Sequence, residues 1–213
     1  MSFVDKQDFL NRAQSKLANP YDELFANLEP LETETPFVPG DGSGLPIRKL
    51  RPAAVLFGLI DRGEDFGVVF TQRPQTMKAH AGQIALPGGK LEQEESVAQA
   101  AVREAEEEIG IPRDQVELIG QAEPYRTLSG FCVSLMVGVL PNDFVPKPCE
   151  HEVDDVFETP LSFLMRPENH QVHEVEWGGA LRRYYAMPHN NRNIWGVTAG
   201  MIKSLYDRLY DSP

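Results

Sequence analysis

The stretch ESVAQAAVREAEEEIG, residues 95–110, constrains the fold of this chain more than any other. Its Ala and Glu are strong helix formers, and Gly110 with Pro112 beyond supplies a stop, so the stretch predicts a helix. Glu104, Glu106, Glu107 and Glu108 crowd its last turns. Like charges one turn apart repel, by roughly a few tenths of a kcal/mol per pair. The run therefore calls for a reason: a solvated face, or a site that expects a cation.

Helical geometry separates the four. With Glu104 at zero and about 100° per residue, Glu107 falls at about 300°, Glu108 at about 40° and Glu106 at about 200°. Val97, Ala100 and Ala101 lie on the arc of Glu104, Glu107 and Glu108, while Ala98, Val102, Ala105 and Ile109 continue the apolar side beside it. A solvated face would put its charge opposite the apolar stripe. Three carboxylates at the edge of a core raise one another's pKa unless a cation sits among them, and oxygen-only ligands suit Mg²⁺ or Mn²⁺. Glu106 is assigned to solvent. A charge-rich helix with Arg103 paired to Glu107 at i,i+4 is the competing interpretation, and geometry alone leaves both standing.

The rest of the chain sets the context. Its 213 residues are 41% hydrophobic, enough for one domain with a real core. A net charge of -12 argues against nucleic acid or an anionic membrane as a partner. Two cysteines, Cys132 and Cys149, make neither a disulfide framework nor a four-ligand zinc site. No apolar run reaches the roughly 18 residues that span a bilayer, and the first residues lack a signal-peptide core, so a soluble cytoplasmic protein is expected.

Residues 5–17 have helical spacing, with Phe9, Leu10, Ala13 and Leu17 on one side. TETPFVPGDGSGLPI follows as a connecting arm, so residues 1–47 are assigned to a helix and arm and 48–213 to the main domain. AAVLFGLI (53–60) and FGVVFTQR (66–73) predict two strands joined through DRGED as a hairpin. QVELIGQ and FCVSLMVGVL predict further strands, DDVFETP leads to a turn or helix at LSFLM, and HQVHEVEW with RRYYAMP predicts a late hairpin. WGVTAGMIKSLYDRLY predicts a final helix. The expected class is α/β, a mixed sheet with helices on its faces.

The segment GKLEQEESVAQAAVREAEEEIGI, Gly89 to Ile111, resembles the signature of the Nudix hydrolases. Gly89, Glu95, Arg103, Glu104, Glu107, Glu108, Gly110 and Ile111 fall at its spacing, and Ala105 stands where a bulkier aliphatic is usual. VVFTQRPQTMKAHAGQIALPGG (68–89) resembles the segment before this box in the coenzyme A diphosphatases of the superfamily, with Lys78, Leu86 and Pro74 departing from the usual residues. LSGFCVSLMVGVL, EVDDVFETPLSFLM and IWGVTAGMI are similar to later stretches of that family, in the same order.

The resemblance implies an α/β/α sandwich and hydrolysis of the diphosphate of coenzyme A or an acyl derivative, with Mg²⁺ or Mn²⁺. It implies Glu104 and Glu108 as principal metal ligands, joined by Glu107 and the carbonyl of Gly88, with Arg103 orienting a box glutamate and Glu95 bracing the loop. The general base stays open among Glu104, Glu107, Glu150 and Glu152, of which Glu152 best matches the family's later acidic stretch. Lys78, His80 and Gln83 could supply a cation and donors to phosphate or pantetheine, and Arg73 and Arg126 are further cations. Another nucleoside diphosphate derivative such as ADP-ribose, NADH or a nucleoside triphosphate is the first alternative, and a non-catalytic nucleotide-binding module the second. The N-terminal arm could cover the sheet or mediate a homodimer. Trp195, Tyr184 and Tyr185 are expected in the core, with Thr198 near the start of the last helix. His170 and His173 are expected on opposite faces of one strand, and CEHE (149–152) is not expected to hold zinc.

Overall fold

The central strand is hydrophobic at every position of its middle, and that continuity places it inside the molecule. In the computed structural model, which describes residues 3–21, 50–76, 81–177 and 180–211, residues 53–60 are all buried. A strand covered on both faces needs apolar residues at odd and even positions alike.

In chain order the elements are α1 (Lys6–Lys16), β1 (Arg51–Asp61), β2 (Phe66–Gln72), β3 (Ile84–Ala85), β4 (Gly88–Lys90), α2 (Val97–Ile109), β5 (Glu117–Gln121), β6 (Tyr125–Arg126), β7 (Phe131–Leu140), β8 (Asp155–Pro160), α3 (Leu161–Leu164), β9 (Gln171–Trp177), β10 (Ala180–His189), β11 (Arg192–Trp195) and α4 (Val197–Tyr210). Among the described residues the main sheet runs β3-β2-β1-β7-β5, with β4 also on β1, β6 on β7 and β8 on β2. β1 and β7 are parallel and the other pairs antiparallel, so the sheet is mixed. A second antiparallel sheet runs β11-β10-β9.

Odd residues of β1, Val55, Phe57 and Leu59, join a cluster with Phe9, Ala13, Leu205 and Tyr210 of α1 and α4. Even residues, Ala54, Leu56 and Ile60, join Ala101, Ala105 and Ile109 of α2. The fold is thus α/β with helices on both faces of a mixed sheet. α1 is integral to one layer: Asp5 caps it, Phe9 is fully buried and stacks on Phe57 with ring centroids 6.3 Å apart.

The predicted hairpins and helices form, with four differences. Arg192–Trp195 is a strand, so the last helix starts at Val197 rather than Trp195. Trp195 is 42% exposed instead of buried, packed edge-on to Tyr184. Tyr184 is only half-buried and stacks against His173, whereas Tyr185 packs on the main core. His170 closes the 3-10 turn Pro167–Asn169 just before β9 and is buried, with Nε2 2.7 Å from the Leu164 carbonyl oxygen. Residues 22–49, including the Pro- and Gly-rich arm, lie outside the described residues.

Candidate active site

Ser96 starts α2 with a reciprocal cap. Its hydroxyl accepts from the Gln99 amide at 3.2 Å, and the Gln99 side chain accepts from the Ser96 amide at 2.9 Å. Gly110 ends the helix in the left-handed region, φ 76°, where a glycine carries no steric penalty. Between these caps the acids separate into two environments.

The first is organised by Arg103, 8% exposed. Nε and Nη2 reach the two oxygens of Glu95 at 2.8 and 3.0 Å. Nη1 reaches Glu104 at 2.9 Å and Glu107 at 3.2 Å, and Nη2 also donates to the Lys90 carbonyl at 3.0 Å. All five guanidinium N–H groups thereby find acceptors. Glu95 in particular raises the Arg103 pKa above its ordinary value, and Arg103 holds Glu95 below its own. Glu95 also accepts from the Glu92 amide at 2.9 Å, which ties the loop before α2 to the helix.

The second environment centres on Glu108, 5% exposed, whose carboxylate accepts from the Gly88 amide at 3.3 Å. Burial first, then the neighbouring Glu104, pushes its pKa up to about 8; the Gly88 N–H and the Arg73 charge oppose this, and Glu152 adds to it. Burial also raises Glu104 against the pull of Arg103, with Glu107 and Glu152 contributing in the same direction. Negative charge is therefore in excess here.

Two glycines make the close approach feasible. A Cβ on Gly88 would collide with the Ala54 carbonyl and Val55 of β1, and one on Gly89 would overlap the Glu104 carboxylate. The Pro-Gly-Gly turn thus admits both the strand pairing and the acid.

Glu152 arrives from a distant loop. The Lys147 and Cys149 amides donate to the carbonyls of Ile109 and Glu108 at 2.8 and 3.0 Å, satisfying orphan acceptors at the end of α2. Glu152 and Val153 then turn back on the Cys149 carbonyl, and the Asp154 amide donates to Gln72 of β2 at 2.8 Å. The loop is anchored at both ends, with the exposed Glu152 near enough to act electrostatically on Glu104 and Glu108.

The other expected residues are distributed unevenly. Glu107 has a side chain 52% exposed; it pairs with Arg103, and its charge acts on Glu104. Glu106, assigned to solvent, is in fact paired with Arg113 at 2.6 Å, away from the Arg103 network. Arg73 follows β2; its charge acts on Glu108, and its buried Nε has no hydrogen-bond partner among the described residues. The Arg73 amide donates to Gln83 at 3.0 Å, which brings these two together. Lys78 and His80 lie outside the described residues. Glu150 is exposed in the Glu152 loop. Arg126 stands on β6 opposite Cys132, and its charge acts on that thiol. Sequence reasoning overlooked the amides of Lys147 and Cys149, since backbone groups leave no residue-type signal.

The donor set is oxygen-only, and a buried carboxylate with a raised pKa lacks a counter-charge; both features fit a hard divalent cation. Glu104, Glu107, Glu108 and the Gly88 carbonyl, the ligands that the resemblance implies, are the groups that could hold it. Among the described residues no three acidic, His or Cys side chains form a closed metal cluster, and Glu104 is hydrogen-bonded to Arg103.

The model of the NUDIX domain matches residues 49–177. The chain is 36% identical over 164 residues to "Uncharacterized Nudix hydrolase NudL" of Cronobacter sakazakii, covering 76% of this chain and 85% of that protein. It is 38% identical over 158 residues to the protein of the same description from Yersinia enterocolitica, covering 74% and 80%. The crystal structure of a MutT/nudix family protein from Enterococcus faecalis superposes with a TM-score of 0.48 at 16% identity, covering 99% of this chain and 76% of that one. A family match over more than half of the chain, on a helix whose acids meet a Gly-Gly turn, leads to one conclusion: this chain belongs to the Nudix hydrolase family.

Proposed function

We propose that the chain hydrolyses the diphosphate bond of coenzyme A or an acyl derivative, yielding 3',5'-ADP and a 4'-phosphopantetheine product. The observation that carries the reaction is the buried Glu108 carboxylate, its pKa pushed up to about 8 beside Glu104 and Glu152 and short of a counter-charge. The coenzyme A assignment rests on the resemblance of residues 68–89 to the segment that precedes the box in coenzyme A diphosphatases.

Glu104 and Glu108, with the Gly88 carbonyl and Glu107, would hold Mg²⁺ or Mn²⁺. Such an ion neutralises the anionic diphosphate and lowers the pKa of bound water. Arg103 fixes the Glu104 carboxylate, and Glu95 fixes Arg103. Glu152, exposed at the rim, takes the proton of the attacking water. The water oxygen bonds to one phosphorus, the bridging P–O bond breaks, and the other phosphate leaves with its electron pair. Arg73 offers its unpartnered Nε–H to a phosphate oxygen, while Gln83 beside it contacts the diphosphate or the pantetheine arm.

The test offers purified protein coenzyme A, ADP-ribose, NADH and nucleoside triphosphates in parallel, with Mg²⁺ or Mn²⁺. Preferred turnover of coenzyme A is the expected result. Faster ADP-ribose turnover overturns the substrate, and no turnover of any overturns the enzyme.

A further inference from the structure

The segment beyond the family match reaches back to the substrate side of the molecule at two points. Thr198, buried at the start of α4, donates from Oγ1 to the Ile84 carbonyl at 3.1 Å. Arg192 of β11 donates from Nη1 to Gln72 Oε1 at 3.2 Å and from Nη2 to Asp155 at 2.6 Å, with its guanidinium 3.8 Å from the centre of the Phe157 ring. Gln72 and Ile84 are cross-strand partners, the last residue of β2 and the first of β3. Immediately beyond them stand Arg73 and Gln83.

Arg192 has donors only, so it turns the Gln72 amide oxygen toward itself. The amide nitrogen is thereby directed at the Gly82 carbonyl, 3.4 Å away. Two backbone bonds complete the frame: Arg73 N–H to the Gln83 carbonyl at 3.0 Å and Gly82 N–H to the Arg73 carbonyl at 3.1 Å. β3 is two residues long, and two ladder pairs are a slight hold for a segment that must aim a side chain. Among the described residues the buried Arg73 Nε has no hydrogen-bond partner, so no described bond fixes that nitrogen and the backbone frame contributes to its aim.

We infer that Arg192 and Thr198 are positioning residues: through Gln72 and Ile84 they set the backbone frame from which Arg73 and Gln83 meet the substrate. This rests on the assignment of Arg73 and Gln83 to substrate binding proposed above. Thr198 clamps one side of the frame and Arg192 the other, and among the described residues neither is hydrogen-bonded to a box acid.

The experiment compares Thr198→Val, Thr198→Ser and Arg192→Lys in the full chain, with the diphosphate that the unaltered protein hydrolyses fastest. Thr198→Val and Arg192→Lys are each expected to raise KM about fivefold with kcat within about twofold, as loss of a substrate-orienting contact does. Amide exchange, followed residue by residue without substrate, should accelerate at Arg73 and Gly82 but not in α2. Thr198→Ser keeps the hydroxyl and should restore both readouts. Unchanged exchange at Arg73 and Gly82 in the folded variants overturns the inference, as does a fall in kcat at unchanged KM. Arg192→Lys, at a part-exposed site, supplies the same readouts independently of Thr198→Val. The exchange readout needs no substrate, so with no diphosphate in the panel turned over it still decides whether Arg192 and Thr198 hold the frame, and the failure is then that of the proposed function alone.

Discussion

The two carboxylate environments on α2 differ in a way that composition hides. Around Arg103 every charge is answered: five N–H donors meet Glu95, Glu104, Glu107 and the Lys90 carbonyl. One turn further on, Glu108 is buried among acids with one backbone N–H and a neighbouring arginine charge for support. The same residue type is held by a guanidinium fork at Glu95 and is left buried and short of counter-charge at Glu108, thirteen positions on, with Glu104 between the two environments. Internal pairing marks the frame, and its shortfall marks the place for something from outside.

The comparison breaks most readily at Glu108. Under the proposed function, Glu108→Gln should lower kcat by at least about 100-fold, as loss of a ligand of the charge-neutralising ion would. The same change should leave the metal-free protein more stable above pH 7, measured by denaturant unfolding in EDTA. Activity above a tenth of the original would show that this acid is not the ligand.

Arg103→Lys attacks the other side. A lysine cannot fill the fork, and truncating a buried paired charge costs about 3 kcal/mol. Unfolding midpoints should fall with or without metal. A variant as stable as its parent would mean that the arginine does not organise the frame.

pH sharpens the contrast. Glu108 keeps its proton in the folded protein up to about pH 8, whereas in the unfolded chain it loses it near its ordinary value of 4.5. Between these pH values the folded state binds more protons, so metal-free stability falls as pH rises through this window. Glu104 is shifted in the same direction. Glu108→Gln should flatten the slope, and saturating Mg²⁺ should offset it, raising Tm more at pH 8 than at pH 6. An equal Mg²⁺ effect at both pH values would separate the ion from Glu108.

The smallest effect is expected at Glu106. Its partner Arg113 and its own side chain are each about half exposed, so Glu106→Gln should change stability by less than about 0.5 kcal/mol and leave kcat within about twofold. A loss equal to that of Glu108→Gln would refute the separation of the helix faces.

Much of this was legible in the chain. The run 53–60 announced a strand, and the Ala- and Glu-rich stretch closed by Gly110 and Pro112 announced α2; that the strand is covered on both faces and that Ser96 caps the helix came from the structure. Helical spacing correctly set Glu106 apart from Glu104 and Glu108. What spacing does not give is depth: about 100° per residue assigns a direction only, and the Glu107 side chain is 52% exposed where that of Glu104 is 15%. Trp195 was misplaced for a related reason. Its apolar character suggested the core, but a short strand carries it to an exposed face of the second sheet.

By itself the sequence determined the periodicities, the stops and the spacing of the box, since each is a property of neighbours along the chain. Tertiary structure alone decided that Glu108 is buried against Gly88, that Glu152 reaches the same site through the amides of Lys147 and Cys149, and that Arg192 and Thr198 meet the segments beside Arg73 and Gln83. Those facts depend on desolvation and on backbone donors brought from far along the chain, and burial by distant neighbours has no local period.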